Sequence, residues 1–338
     1  MRRTRGITGP EIHFTGNMPC KSRKETFLSN TKNKQSFINL LGRTLSSNGI
    51  RVNHAEADAD LDIVKTAISF AESQEVVVMG EDTDILILLC HHASLTSRHI
   101  YFTTEQKSNV RKHRLWDIKK TKTVLGQDLC QCLPFVHAFT GCDTTSRIFG
   151  IGKQIAVKKV TTSALFRETS KLFLNADVGK AAIIHAGEQA LVELYGGMQN
   201  ELLDLLRFRR FTQKVVTSNS QVLVHTLPPT SDAAGFHSLR TYFQCQTWVN
   251  MSNLDPNEWG WQVHVLSNKC VPVKATLPPA PERLLKVIRC GCKSSCDTKR
   301  CVCRKHGLVC TTACSDCKGV SCSNSKEFLC EDSDFVEV

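Results

Sequence analysis

The chain has 338 residues, 41% of them hydrophobic and 22% charged, which describes a folding protein and excludes an extended disordered one. No stretch reaches about 18 uninterrupted apolar residues, and the N-terminus MRRTRGITGP has no apolar segment of the signal-peptide kind, so a soluble, intracellular, non-membrane protein is expected. The formal charge of +11 favours a polyanionic partner.

Residues 1–48 read as a basic helical segment, with nine Lys and Arg against Glu11 and Glu25 across residues 1–50. After Gly49–Val52 the stretch HAEADADLDIVKTAISFAES opens with acids and turns helical. Ala59, Ile63, Ala67 and Phe70 approximate one buried face, with Val64 and Ala71 broadening it. Glu56/Asp60 and Asp58/Asp62 are pairs four apart, and acids at a helix N-terminus also suit the helix dipole.

Residues 75–90 read EVVVMGEDTDILILLC. Val76–Val78 make a β-branched run, Gly80 permits a turn, and Ile85–Leu89 is almost wholly apolar. The pattern predicts a fully buried strand ending in an acidic loop, as in a parallel sheet flanked by helices. Functional groups gather at the carboxyl ends of such strands, so Glu81, Asp82 and Asp84 stand where a metal site is expected. Arg111, Lys112, His113, Arg114, Lys119, Lys120 and Lys122 then form a basic rim, either guiding phosphates or a solvated face, with Trp116 and Ile118 packed beneath.

Phe135, Val136 and Phe139 suggest a helix leading into a Gly141–Cys142–Asp143 turn. Gly150 and Gly152 flank Ile151 just ahead of Lys153, a glycine-rich turn between helices. Such a turn either exposes N–H groups to a phosphate or simply joins two helices.

Taken in order, these pieces resemble the core of the flap endonuclease/XPG family, a branch of the PIN-like nucleases. Glu56–Ala57–Asp58 matches its E-A-E/D step and Asp82–Thr83–Asp84 its strand-end D-x-D. Gly141–Cys142–Asp143 stands for its G-S-D step, and Gly150–Ile151–Gly152 with Lys153 for its helix–hairpin element. The resemblance spans residues 49–160 and implies an α/β fold with a mainly parallel PIN-like sheet, flanking helices and a helix–hairpin region. It also implies up to two catalytic Mg²⁺ or Mn²⁺ ions held by Glu56, Asp58, Asp82, Asp84 and Asp143, with phosphodiester cleavage as the activity. Glu81 and Asp60 fall to the surroundings of that site. Residues 1–50 hold no aspartate, so the family's N-terminal strand aspartate has no counterpart and a shortened nuclease domain is expected.

Helices are expected over Ala182–Leu194 and Glu201–Phe211, the latter with Leu202, Leu205 and Leu206 packed and Arg207, Arg209 and Arg210 outward. Pro228 and Pro229 mark a boundary, so the nuclease-like core with its helical extension occupies 49–226. An aromatic subdomain and proline-rich linker follow over 227–281, with Phe236, Tyr242, Phe243, Trp248, Trp259 and Trp261.

Residues 282–330 read as a cysteine-rich module, with nine of the 17 cysteines falling between Cys290 and Cys322: Cys290, Cys292, Cys296, Cys301, Cys303, Cys310, Cys314, Cys317 and Cys322. Their spacing, C-x-C-x3-C-x4-C-x-C-x6-C-x3-C-x2-C-x4-C, has pairs too close for comfortable disulfides but well placed to share a metal. Six terminal and three bridging thiolates supply the twelve bonds of three tetrahedral zinc ions, whereas two separate four-cysteine sites leave one cysteine over. The intervening sequence has few large apolar residues and cannot fold on burial alone. Lys293, Lys299, Arg300, Arg304, Lys305 and Lys318 against Asp297 and Asp316 give +4, which a three-zinc, nine-thiolate cluster reduces to about +1. Arg304 and Lys305 are candidate phosphate contacts.

This segment resembles the cysteine-rich CXC domain of the tesmin/TSO1 family, the nine cysteines matching in order with the later spacings altered. The resemblance implies structural zinc, DNA as the partner and a nuclear location. An acidic tail, 331–338, ends the chain. Three functions are carried forward: a metal-dependent nuclease acting on DNA, a DNA- or chromatin-binding protein with a degenerate nuclease-like domain, and a zinc-stabilised protein-interaction module. The oligomeric state is not encoded in any of these motifs.

Overall fold

The computed structural model describes residues 8–19, 21–55, 58–104, 114–217, 222–250, 254–264, 269–276, 289–293, 295–305, 309–311, 314–320 and 322–325. The chain is a mixed α/β protein dominated by helices, and it divides into two units, Met1–Lys119 and Lys120–Val338. Among the described residues no helix is long and apolar enough to cross a membrane.

The first unit opens with α1 (Lys24–Ser29) and α2 (Thr31–Ser47). Asn30 caps α2, its side chain accepting from the Lys32 N–H at 3.0 Å. The buried Asn33 amide accepts from Ile12 N–H at 2.8 Å and donates to Pro10 O at 2.9 Å, tying the preceding chain to this helix. Next come α3 (Ala59–Phe70), β1 (Val76–Met79), α4 (Thr83–His92), β2 (Ile100–Thr103) and β3 (Leu115–Asp117). The sheet order is β1-β2-β3; β1 and β2 run parallel, with Val78 opposite Phe102, and β3 returns antiparallel, with Trp116 opposite Phe102. Val64, Ala67, Val78, Ile85, Leu88, Leu89, Ile100, Phe102 and Ile118 are buried.

Three expectations change here. Among the described residues the sheet is not mainly parallel: one β–α–β crossover, through α4, supplies one parallel pair, and β3 pairs antiparallel with β2. Strand β1 is not buried on both faces, since it lies at one side of the sheet with Val77 62% and Met79 71% exposed. Ile85–Leu89 belongs to helix α4, and α3 buries Val64, Ala67 and the adjoining Ala71 while Ile63 and Phe70 are exposed.

The second unit is built around α11 (Ser231–Val249), which packs on α6 (Gln127–Thr140), α8 (Ala164–Leu174) and α9 (Lys180–Leu194). Helix α5 (Ile118–Leu125) begins at the boundary, and α7 (Lys153–Thr162) and α10 (Leu203–Thr217) complete the bundle. Gly187 lets α9 and α11 approach: a Cβ there would lie 1.9 Å from Ser238 Oγ. Phe135 sits 4.9 Å from Phe139 and 4.8 Å from Phe173, ring to ring, and full burial of each ring contributes about 2–3 kcal/mol. The buried Tyr242 donates its hydroxyl to Ala176 O at 2.9 Å. A two-stranded antiparallel sheet, β4 (Trp261–His264) with β5 (Lys269–Pro272), follows, and among the described residues of the cysteine-rich segment the regular element is the short α12 (Val302–Lys305).

Helix α10 also departs from its expected face. Leu203 and Leu206 are buried, whereas Leu202 and Leu205 are 67% and 56% exposed. Its arginines turn onto protein acceptors: Arg207 donates to Pro228 O, Arg210 to Tyr195 O at 2.7 Å, and Arg209 forms a fork with Glu201 at 2.9 and 2.8 Å.

Candidate metal centres

Among the described residues two groups of side chains have the geometry of metal sites. The first lies in the first unit and is made by one two-residue device used twice. At the start of α4, Asp82 is the N-cap and its carboxylate accepts from Asp84 N–H at 2.9 Å. At the start of α3, Asp58 is the N-cap and accepts from Asp60 N–H at 3.3 Å. Since α3 packs on α4, the two helix starts converge, and carboxylate oxygens of Asp60, Asp82 and Asp84 all lie within 4.8 Å of one another. Three like charges at that range repel; two helix N-termini and solvent moderate the repulsion, and a divalent cation would remove it. Oxygen-only donors of this kind suit Mg²⁺ or Mn²⁺.

The α3 acid in this group is Asp60, which sequence reasoning set aside; Asp58 instead caps the helix. The signal was present, because an aspartate two residues before another at the head of a periodic run is the N-cap pattern. Glu56, Arg111 and Lys112 lie outside the described residues. Arg114 is exposed just ahead of β3.

Asp143 belongs to the second unit, in the loop joining α6 to α7. That loop is anchored along its length. Gly141 closes α6 with φ of 110°, where a Cβ would meet Arg147 Cα at 2.8 Å. Thr145 Oγ1 accepts from Cys142 N–H at 3.0 Å and donates to Ala138 O, Thr144 Oγ1 donates to Gln244 Oε1 at 2.6 Å, and Tyr195 donates to Phe149 O at 2.9 Å. Gly150 turns the chain with φ of 73°, and Gly152 is the N-cap of α7 with no side chain over the helix start. Lys153 directs its ammonium back to Gly141 O at 2.8 Å, complementing the carbonyl end of α6.

The second group is the cysteine-rich segment. Cys290, Cys296, Cys301, Cys303, Cys310, Cys314, Cys317 and Cys322 are all buried, Cys292 is half-buried against them, and no disulfide joins any described cysteine. Sulfur–sulfur separations are 3.8 Å for Cys290/Cys296, 3.7 Å for Cys290/Cys310 and Cys290/Cys317, 3.9 Å for Cys301/Cys310 and 3.6 Å for Cys303/Cys314. A tetrahedral zinc with Zn–S bonds of about 2.3 Å has sulfurs about 3.8 Å apart, whereas a disulfide needs about 2.05 Å. The donors therefore fit zinc. Four quartets have all their sulfurs within 4.8 Å: Cys290/Cys292/Cys296/Cys301, Cys290/Cys301/Cys303/Cys310, Cys290/Cys310/Cys314/Cys317 and Cys296/Cys310/Cys317/Cys322.

Backbone turns hold these sulfurs together. Lys318 and Gly319 both take positive φ, and a Cβ on Gly319 would lie 2.6 Å from Cys310 O. The buried Asn324, which the spacing pattern did not single out, donates to Cys310 Sγ at 3.4 Å and accepts from Cys310 N–H through its own carbonyl. Burial pushes the Cys303 thiol up to about 12, while Cys317, against its burial, is drawn down to about 7 by the Gly319 N–H and neighbouring thiols. Such a crowded set ionises fully only around a cation. Arg304 reaches across the module to Ser323 O at 3.4 Å, and Lys305 is exposed.

No family model, curated protein or solved structure matches the chain.

Proposed function

We propose that the chain is a zinc-stabilised nucleic-acid-binding protein, DNA being the favoured partner and the nucleus the expected location, whose nine thiolates hold three zinc ions. The observation that carries this reading is the sulfur spacing of 3.6 to 3.9 Å among described cysteines that form no disulfide. Cys290, Cys301 and Cys310 act as the bridges. One zinc takes Cys290, Cys292, Cys296 and Cys301, all mutually within 4.8 Å. A second takes Cys301, Cys303, Cys310 and Cys314, and a third takes Cys290, Cys310, Cys317 and Cys322. Every pair in these last two sets but Cys301/Cys314 and Cys290/Cys322 is within 4.8 Å or joined by a measured sulfur contact. Zinc supplies the folding free energy that a segment poor in large apolar residues lacks, about 10–16 kcal/mol per structural ion.

Binding rather than turnover is the better-supported role. The chain's charge of +11 and the basic residues Arg304 and Lys305 beside the cluster favour phosphates, and the ordered cysteines resemble a DNA-binding module. A second reading, divalent-metal phosphodiester cleavage, is favoured by the meeting of Asp60, Asp82 and Asp84. One experiment separates the roles: fluorescence anisotropy of the full chain on duplex DNA, single-stranded DNA and RNA, with zinc present or chelated, followed by gel analysis after incubation with Mg²⁺ or Mn²⁺. The expected result is zinc-dependent binding, weakening as salt rises, with intact nucleic acid. Cleavage that disappears in Asp82→Asn would replace this reading with the nuclease one. Failure of the zinc-loaded chain to bind any nucleic acid would leave the module as a protein-interaction element.

A further inference from the structure

A cavity of about 790 Å³ lies wholly in the second unit, between the anchored α6–α7 loop, α9, α10 and α11. Its lining includes Arg147, Arg207 and Arg240 and no aspartate or glutamate. Arg240 is the informative member. It is 7% exposed, yet its partners are all neutral: Gly260 O at 3.1 Å, Val273 O at 3.2 Å and the Trp261 ring at 6.0 Å. No carboxylate among the described residues pairs with it, and burial alone lowers its pKa. A buried guanidinium normally has a compensating anion, because desolvating an unpaired charge costs several kcal/mol.

The two other arginines sit differently. Arg147 is exposed, midway along the anchored loop, and has no ion-pair or hydrogen-bond partner among the described residues. Arg207 is half-buried, donates to Pro228 O and is acted on by the charge of Asp204. Beside them His237 gives its Nε2–H to Phe139 O at 2.8 Å, and burial holds this imidazole neutral with a pKa of about 4, so it adds no charge near neutral pH. The remaining wall is mainly apolar and aromatic, with Ser146 and Thr230 among it, Phe149 edge-to-face on His225 at 5.6 Å and Phe149 itself 51% exposed.

We propose that this cavity binds the phosphomonoester of a nucleotide, either free or at the end of a nucleic-acid strand, with Arg147, Arg207 and Arg240 gathering the phosphate and Phe149 lying beside the base. A phosphomonoester carries close to two negative charges and three acceptor oxygens, which several guanidinium forks can divide, whereas one carboxylate would leave most of their donors unused. The volume is in the range of small-ligand sites, and the combination of an apolar wall with convergent polar groups suits a planar base joined to an anion. The inference rests on the cavity alone and holds whether the acid cluster cleaves or not.

Calorimetric titration of the zinc-loaded full chain tests it. The probes are a nucleoside monophosphate, the matching nucleoside, and a five-residue oligonucleotide with and without a terminal phosphate. At least one phosphorylated probe should bind about tenfold or more tightly than its unphosphorylated counterpart. Arg147→Gln should reduce that affinity about tenfold with unchanged thermal unfolding, because Arg147 is exposed and holds nothing else, while Arg43→Gln, remote in sequence on α2, should leave it intact. Binding of the free nucleotide alone names a metabolite-like ligand; binding of the phosphorylated strand alone names a strand end. Equal affinity with and without phosphate, or an unchanged affinity in Arg147→Gln, overturns the proposal.

Discussion

Replacing Cys310 with serine tests the shared-thiolate cluster at one of its two most shared sulfurs, the other being Cys290. Cys310 Sγ lies 3.7 Å from Cys290 and 3.9 Å from Cys301, and it belongs to three of the four sulfur quartets. If a structural zinc contributes about 10–16 kcal/mol through four bonds, each Zn–S bond carries about 2.5–4 kcal/mol. A terminal ligand such as Cys322 then accounts for about 2.5–4 kcal/mol, and a bridge such as Cys310 for about 5–8 kcal/mol. At about 1.4 kcal/mol per decade, Cys322→Ser should raise zinc dissociation about 10²- to 10³-fold, and Cys310→Ser by more than about 10³-fold. Asn324 would also lose the sulfur to which it donates. The assay is elemental analysis of the purified full chain together with zinc release to a graded series of chelators. Wild type should hold three zinc ions, Cys322→Ser should retain zinc but surrender it to weaker chelators, and Cys310→Ser should retain at most one. Equal loss from the two variants would refute the bridging assignment, and a wild-type content near one would refute the cluster.

Two further outcomes follow from the acids and from a buried histidine. Asp58→Ala should cost about 1 kcal/mol of stability by removing the α3 cap but leave any Mn²⁺-induced rise in melting temperature, whereas Asp60→Asn should abolish that rise; a rise surviving in Asp60→Asn would mean the cation binds elsewhere. His237 is held neutral in the fold, with its pKa lowered from 6.5 to about 4 by burial, while in the unfolded chain it protonates below about 6.5. Stability is therefore full above about pH 6.5 and lost as pH falls toward about 4, by about 3 kcal/mol; urea unfolding of wild type and His237→Asn should diverge in this window, and parallel curves would contradict the assignment.

The features legible in the sequence were the ones set by near neighbours. The cysteine spacing announced a metal module because C-x-C pairs and short loops confine the sulfurs locally, and the Gly141 turn and Gly152 helix start followed from residues within a few positions of each other. What escaped was set by distant partners. The outward placement of Arg207 and Arg210 failed because Pro228 O and Tyr195 O come from segments 21 and 15 residues away. The expected face of α3 was too wide: Val64, Ala67 and Ala71 are buried as expected but Ile63 and Phe70 are exposed, since Val64 and Ile63 are equally apolar and packing against α4 chooses between them. The same packing brings Asp60 to the acid group, whereas the capping role of Asp58, two residues ahead of Asp60, was already legible in the sequence. The mainly parallel sheet was an extrapolation from one β–α–β unit to a whole layer.

The anchored loop between α6 and α7 has a consequence in entropy. Fixing one backbone residue costs about 1–2 kcal/mol, and the loop's contacts through Thr144, Thr145, Phe149 and Lys153 place that loss in the folding reaction. Whatever meets Asp143 or Arg147 thus encounters a surface already ordered, and association there should proceed with little further loss of chain freedom and fast on-rates.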